Sequence, residues 1–530
     1  MQRWSRRTVL REGSLAAAGL LISRARAQVS KPSRARTLDA RQLASFVDPL
    51  PLPVLQRPQG RRSSAMLGAV DRPFYPISIH EIRNSFHRDL PPARMWSYGA
   101  TSAPVLFDVR SNDGVLIDWS NHLPPKQFLP LPPPRKGMEA APPTRTVTHM
   151  HGSRVPSVSD GYPEAWFAPG DHRLCYYPNR QQAAALWCHD HAMGVSLFNV
   201  FSGLMGWYLI RDETELGLGL PSGRYELPLM IYDRSFDPHG QLYYPNPPDE
   251  GSWSQEYLGD AMVVNGKVRP YHEVEPRRYR LRIVNTANSR FFALSFSNEQ
   301  EFHVIGSDQG LLAVPIPLKR LVLAPAERAD LIVDFSGSRG EKIVLTSDEL
   351  ELMQFRVGRE RVEDSSQLPR ELRSVPRIAE AQAVRTRMLT LDQFDDDTGM
   401  AMVMLLNRRH WSDPVTENVR FNSTEIWSLV NLTQDTHPIH LHLVRFQILD
   451  RRAFAVGDYL ATNTLPLRYT DVARAPAAHE LGWKDVVQCP PGMVTRIIVP
   501  FEGYAGRYVW HCHILEHQAN DMMRPYEILA

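Results

Sequence analysis

The sequence predicts an all-β protein, and three observations carry that prediction. Apolar stretches are short and are repeatedly broken by Pro, Gly, Asn and Asp, with 43 Pro among 530 residues. Such punctuation marks many short strands joined by turns. Two distant stretches share one pattern of residues, the mark of a duplicated unit. Four histidine pairs have the spacing His-x-His, the period at which strand side chains return to one face. The length fits two to four domains, each able to bury a core.

The N-terminus reads as an address rather than as part of the fold. Ser5-Arg6-Arg7-Thr8-Val9-Leu10 has a twin-arginine pattern, residues 13–22 are apolar, and Ala25-Arg26-Ala27 offers small residues for cleavage. The expectation is a twin-arginine signal peptide over 1–27 and a mature protein that is periplasmic or secreted; the competing reading is a basic disordered start. The apolar stretch is too short to span a bilayer, and no other segment suits a membrane helix, so no membrane span is expected in the mature form. Removing 1–27, with six Arg and one Glu, takes the formal charge from +2 to −3. A near-neutral chain has no nucleic-acid footprint, and none is expected as a partner.

Four cysteines, Cys175, Cys188, Cys489 and Cys512, are too few for a disulfide scaffold. Cys175 and Cys188 flank a predicted hairpin turn around 179–182, where a cross-strand disulfide is one expectation. Cys188 and Cys489 also read as small buried hydrophobes.

Three segments follow the signal: 40–215, 220–360 and 385–530. Residues 123–143 are Pro-rich and read as a long surface loop; 358–386, charged and Pro-containing, reads as a linker. The repeat lies in the second and third segments. Ile-Trp-Ser-Leu-Val-Asn431 precedes His437-Pro-Ile-His440-Leu-His442, and Leu-Arg-Ile-Val-Asn285 precedes Phe291, Leu294 and Phe296 at the same offsets. One strand thus carries candidate metal ligands in one copy and apolar residues in the other. This suggests duplicated β-sandwiches with a metal-free middle copy.

Ten of the 19 His fall in four motifs: His149-Met-His151-Gly152, Trp187-Cys-His189-Asp-His191, His437-Pro-Ile-His440-Leu-His442, and His511-Cys512-His513-Ile-Leu-Glu516-His517. A lone His is usually a satisfied polar residue; four His-x-His pairs in one chain point to metal. Imidazole suits copper, zinc and iron alike, so the eight paired His do not choose the ion. The fourth motif does. His511 and His513 face one way and Cys512 the other. Cys512 with His437 and His517 gives a His₂Cys set, and Met522, five residues on, is a candidate weak axial ligand, with core packing as its competing role. That is the pattern of a blue-copper electron-transfer site. An electron arriving at Cys512 has a backbone path to His511 and His513.

These four motifs, in this order, resemble the copper motifs of the multicopper oxidases, within which the chain resembles the bacterial spore-coat laccase and bilirubin oxidase group. Asp160-Gly-Tyr-Pro-Glu-Ala-Trp166, Tyr177-Pro-Asn179 and Gly482-Trp-Lys-Asp485 add to the likeness. The resemblance implies three cupredoxin-like Greek-key β-sandwich domains and four copper ions. It implies type 1 copper on His437, Cys512, His517 and Met522, and type 2 copper on His149 and His440. His151, His189, His191, His442, His511 and His513 would hold the type 3 pair. It also implies one-electron oxidation of a small aromatic reductant (a phenol, an aromatic amine or a bilirubin-like pigment) coupled to four-electron reduction of dioxygen to water.

Proton delivery is expected to involve carboxylates. Asp160 matches the family's acidic residue beside the cluster; its competing role is a turn aspartate before Gly161. The family usually has Glu directly after the second type 1 His, where this chain has Gln518, and an amide cannot exchange a proton as a carboxylate does. Glu516 is a candidate substitute. Two alternatives stand beside the laccase reading. One is a cuprous or manganese metallo-oxidase taking Cu(I) or Mn(II), against which the Met are mostly scattered, with Met402 and Met404 a tight pair. The other is a copper-free, cell-division-type structural relative, which predicts missing ligands where none is missing.

Overall fold

Three asparagines reveal how the chain is built. The computed structural model describes residues 37–64, 70–133, 139–245, 255–395, 401–463 and 465–530, apart from the side chains of 401 and 402; the expected signal peptide and Met402's side chain lie outside it. It ends one central strand at each asparagine: Val115–Asn121, Arg278–Asn285 and Thr424–Asn431. All three are buried. Each side-chain N–H₂ donates to two carbonyls: Thr144 and Phe167 for Asn121, Arg290 and Leu323 for Asn285, Asp435 and Cys489 for Asn431. Each side-chain oxygen accepts the backbone N–H two residues on, at Leu123, Ala287 and Thr433. One buried amide thereby satisfies backbone groups that a strand end would otherwise orphan. The repeat read from two copies extends to a third.

The strands around these asparagines repeat too. Each pairs in parallel with an earlier strand, Arg72–Asn84, Glu226–Arg234 or Arg385–Asp395. Each pairs antiparallel with a later one, His172–Tyr177, Arg328–Asp334 or Met493–Pro500. A second sheet completes each sandwich, and the six sheets draw their strands from 54–211, 226–357 and 385–529. The fold is all-β with three cupredoxin-like domains, as the sequence predicts. Among the described residues no helix is long and apolar enough to cross a membrane.

The second sheets of the first and third sandwiches carry the histidine motifs. Thr148–His151 pairs with Ala184–Asp190 so that His149 lies opposite His189, and His437–Leu441 pairs with Gly506–Cys512 so that His440 lies opposite His511. Directly opposed residues sit side by side on one face, so each sheet presents four imidazoles together. The corresponding strand of the middle sandwich, Phe292–Phe296, buries Leu294 and Phe296 instead.

The turn around 179–182 is not a hairpin. His172–Tyr177 and Ala184–Asp190 belong to the two different sheets of the first sandwich. Cys175 and Cys188 are free thiols that fill one shared core, and Cys489 is likewise free and buried. Burial pushes the Cys175 thiol up to about 12, so it behaves as a small hydrophobe rather than a nucleophile.

Candidate metal centres

Eight imidazoles from the first and third sandwiches meet in one buried place. Their ligand atoms form two compact triads, His151 with His189 and His513, and His191 with His442 and His511. Each triad takes ligands from both sandwiches. His511 Nε2 lies 3.3 Å from both His191 Nε2 and His442 Nε2. His149 and His440 belong to neither triad, but group with His151.

The hydrogen bonds of six of the eight rings show which nitrogen is free. Nδ1–H of His149, His189, His440 and His511 donates to the carbonyls of Asp160, Asp190, Asp485 and Cys512 at 2.6, 2.9, 2.8 and 2.9 Å. His442 Nδ1–H donates to Asp160 Oδ2 at 2.7 Å. His151 is reversed: its Nε2–H donates to Asp485 Oδ1 at 3.0 Å. Such donation fixes the tautomer and aims the other nitrogen's lone pair. The opposite atoms, Nε2 of His149, His189 and His440 and Nδ1 of His151, are buried with no hydrogen-bond partner. Neutral nitrogens with an aimed lone pair and no protein partner fit a set of bound cations, and all-imidazole triads suit copper.

Burial lowers these imidazoles' affinity for protons, and the neighbouring rings add to it: His149, His151 and His442 fall well below the ordinary range, His189 to about 3 and His511 to about 4. An unfolded His takes a proton at about pH 6.5, its ordinary value, whereas the folded ones do not. Below that pH the unfolded chain binds more protons and folding weakens. The melting temperature of metal-free protein is therefore expected to fall steadily between about pH 6.5 and pH 4. A flat or rising profile in calorimetry over that window would contradict the neutral, lone-pair state of the cluster.

The second site lies in the core of the third sandwich. Cys512 Sγ is 3.6 Å from His437 Nδ1 and 3.7 Å from His517 Nδ1, and the two nitrogens are 3.2 Å apart. Ligand atoms about 2.0–2.3 Å from one ion stand about 3.2–3.9 Å from each other, so the set fits a single small cation. Thr433 Oγ bonds His437 Nε2 at 2.7 Å, which leaves Nδ1 for the ion. Met522 is buried, accepts the Cys512 N–H at its carbonyl and donates its own N–H to the His517 carbonyl. Burial holds the Cys512 thiol well above its usual range, so a thiolate here needs a cation beside it. The Ile514 N–H also donates to Sγ at 3.4 Å.

Asp160 is both things the sequence allows. It caps the short turn Ser157–Ser159, and it orients two rings, His149 through its carbonyl and His442 through its carboxylate. Gly161 has φ +83, and a Cβ there would lie 2.5 Å from the Thr148 carbonyl, so only glycine lets Asp160 approach the His149 strand this closely. Glu516 is placed otherwise. Its carboxylate accepts from Tyr244 Oη at 2.9 Å, Asn288 Nδ2 at 3.0 Å and Ser289 Oγ at 2.5 Å, all on the middle sandwich. Gln518 is buried in a narrow cleft with His191, Met193, Leu197 and Met523, with room for about one water. Asp485, Arg328 and Thr433 are not among the sequence-predicted site residues. Only Asp485 gave a signal, as part of Gly482-Trp-Lys-Asp485.

Two paired centres, one His₂Cys and one of eight imidazoles between two cupredoxin-like domains, define a copper oxidase. Models of the multicopper oxidase family match residues 140–215 and 381–529. The chain is 41% identical to the laccase of Bacillus subtilis over 92% of its own length and 99% of that protein, and 41% identical to the laccase of Bacillus stratosphericus over the same shares. A crystal structure of laccase from Pediococcus acidilactici superposes with a TM-score of 0.75 at 26% identity, covering 92% of this chain and 95% of that one. The chain belongs to the multicopper oxidase family. Its activity is laccase-like, the oxidation of a reducing substrate by dioxygen, and its donor sets fit the family's four coppers. Neither the metallo-oxidase nor the copper-free alternative is favoured.

Proposed function

We propose that this is an exported laccase-like oxidase in which His437, Cys512, His517 and Met522 hold type 1 copper, and His149 and His440 hold type 2 copper. One type 3 copper then sits on His151, His189 and His513, the other on His191, His442 and His511. One observation carries the assignment: the ring nitrogens fall into sets with ligand spacing, while the opposite nitrogens of His149, His151, His189, His437, His440, His442 and His511 are held by protein oxygens. When bound, copper supplies one-electron redox at the cysteine site and reduction of dioxygen to water at the three-copper site. Cys512 joins the two through the backbone of its neighbours His511 and His513. His437 and His517 are buried, which suits outer-sphere electron transfer from a substrate that forms no bond to the site. A thioether ligand favours a moderate potential, and so readily oxidised reductants such as methoxyphenols, aminophenols and bilirubin-like pigments. Residues 1–27 support twin-arginine export to the periplasm or beyond.

The test is an absorption spectrum of copper-loaded protein with oxygen uptake on methoxyphenol, bilirubin and Cu(I). The expected result is an intense thiolate-to-copper band and faster uptake with the aromatic reductants than with Cu(I). No such band and no oxygen consumption would sink the proposal.

Gln518 yields a further expectation. It lines the cleft that reaches His191, and its amide holds no exchangeable acid proton. Gln518→Glu places a carboxyl there and is expected to change the rate of dioxygen reduction severalfold or to move its pH profile. Steady-state oxygen uptake across pH checks this; superimposable profiles would rule it out.

A further inference from the structure

Arg328 opens the strand Arg328–Asp334 of the middle sandwich, yet its fully buried side chain reaches both of the other sandwiches. Its Nη1–H donates to Asp485 Oδ1 at 2.7 Å and its Nη2–H to Asp485 Oδ2 at 2.5 Å. Its Nε–H donates to the Ala185 carbonyl at 3.1 Å, on the strand that carries His189 and leads into His191. Asp308 holds Arg328 from behind, accepting its backbone N–H at 3.0 Å and its Nη2–H at the Asp308 carbonyl at 3.0 Å. Asp485 then serves two cluster rings. Its Oδ1 accepts His151 Nε2–H at 3.0 Å and its carbonyl accepts His440 Nδ1–H at 2.8 Å. Gln309, also from the middle sandwich, adds a bond to Asp485 Oδ2 at 2.5 Å and one to the Gly152 carbonyl at 2.8 Å.

Gly152, which ends the first histidine motif, has φ +85. A Cβ there would stand 2.7 Å from Asp485 Oδ2, 2.8 Å from Gln309 Nε2 and 2.9 Å from Arg328 Nη2. The motif's glycine is therefore the space that this cluster of groups occupies.

We propose that Arg328, acting through Asp485, is a positioning residue for the trinuclear site, so that the middle sandwich sets the aim of His151 and His440 rather than merely separating the other two. This rests on the ligand assignment above. The planar guanidinium bonds both carboxylate oxygens and fixes the plane of the carboxylate, which an ammonium cannot do. With that plane fixed, Oδ1 takes the Nε2–H of His151 and leaves Nδ1 for the ion, the reverse of His149, His189 and His440. Loosening the carboxylate frees the His151 ring directly, and it reaches His440 through a shift of the residue whose carbonyl holds that ring.

The test uses the full-length, copper-loaded protein and its Arg328→Met and Arg328→Lys variants, reading type 2 electron paramagnetic resonance, total copper, the thiolate-to-copper band and far-ultraviolet circular dichroism. In Arg328→Met the type 2 signal is expected to be lost or shifted, with affinity at that site lowered about 10–100-fold, while the thiolate band and the dichroism stay unchanged. Arg328→Lys is expected not to restore it; a type 2 signal normal in Lys but not in Met would mean that only the buried charge matters and would overturn bidentate positioning. A normal signal in Arg328→Met would overturn the proposal outright. If Arg328→Met does not fold, Gln309→Leu, which removes a bond to the same carboxylate without burying a bare charge, decides: a weakened type 2 signal supports positioning and an unchanged one defeats it. Absence of the thiolate band from the unaltered protein would instead count against the ligand assignment itself.

Discussion

The Cys512→Ser protein is expected to fold, to lose all intense visible absorption and to bind one copper fewer than the unaltered chain. Oxygen uptake should fall by about 10³-fold or more, roughly 4 kcal/mol of barrier. Cys512 Sγ lies within 3.7 Å of the two facing imidazole nitrogens of His437 and His517, and among the described residues no other cysteine joins that set. A serine hydroxyl is a harder donor that keeps its proton. The fold should survive, because the Ile514 N–H and the two imidazoles can bond the new hydroxyl in place of the sulfur. A hydroxyl in this buried position costs about 1–3 kcal/mol at most. The backbone that positions His511 and His513 is untouched, so the type 2 resonance should persist. A Cys512→Ser protein that stayed blue, or still consumed oxygen at the original rate, would refute the role of this thiolate.

That prediction was legible in the sequence because the information is local. A strand of period two puts His511 and His513 on one face and Cys512 on the other, whatever surrounds it. The division of the six type 3 histidines into triads was not legible. It depends on how the first sandwich meets the third, and no spacing within either motif encodes that meeting. The choice of ring nitrogen was hidden for the same reason, since it is set by acceptors such as Asp160 and Asp485 that lie far away in the chain. The first copy of the repeat escaped notice because the residues after Asn121 run into the Pro-rich stretch of 123–143, which removes the fixed offset seen after Asn285 and Asn431. The turn between Cys175 and Cys188 misled because a turn that crosses between sheets and a hairpin turn use the same residues: Asn179 has φ 55, as either would allow. Arg328 lay in the segment read as a metal-free copy, and an arginine in a strand carries no signal until its distant carboxylate is in view.

Asp160 is where orientation and charge can be separated. Its carboxylate accepts the Nδ1–H of His442 at 2.7 Å, and its other oxygen lies 3.7 Å from His149 Nδ1 with no hydrogen-bond partner of its own. Burial holds its carboxyl well above the usual carboxylate range, the direction that favours a proton donor beside the cluster. Asp160→Ala removes both functions and is expected to lower turnover about 10–100-fold with the thiolate band unchanged. Asp160→Asn keeps an oxygen that can accept from His442, so copper content and the type 2 and type 3 spectra should stay close to those of the unaltered protein. Its amide cannot take up or give up a proton, so oxygen reduction should still slow, and the limb of the pH–rate profile that reports this carboxyl should flatten. If Asn restored both the rate and the pH profile, the carboxylate would act only as a hydrogen-bond acceptor for His442, and the proton supply would have to reach the cluster by another route, the Gln518 cleft beside His191 being one candidate.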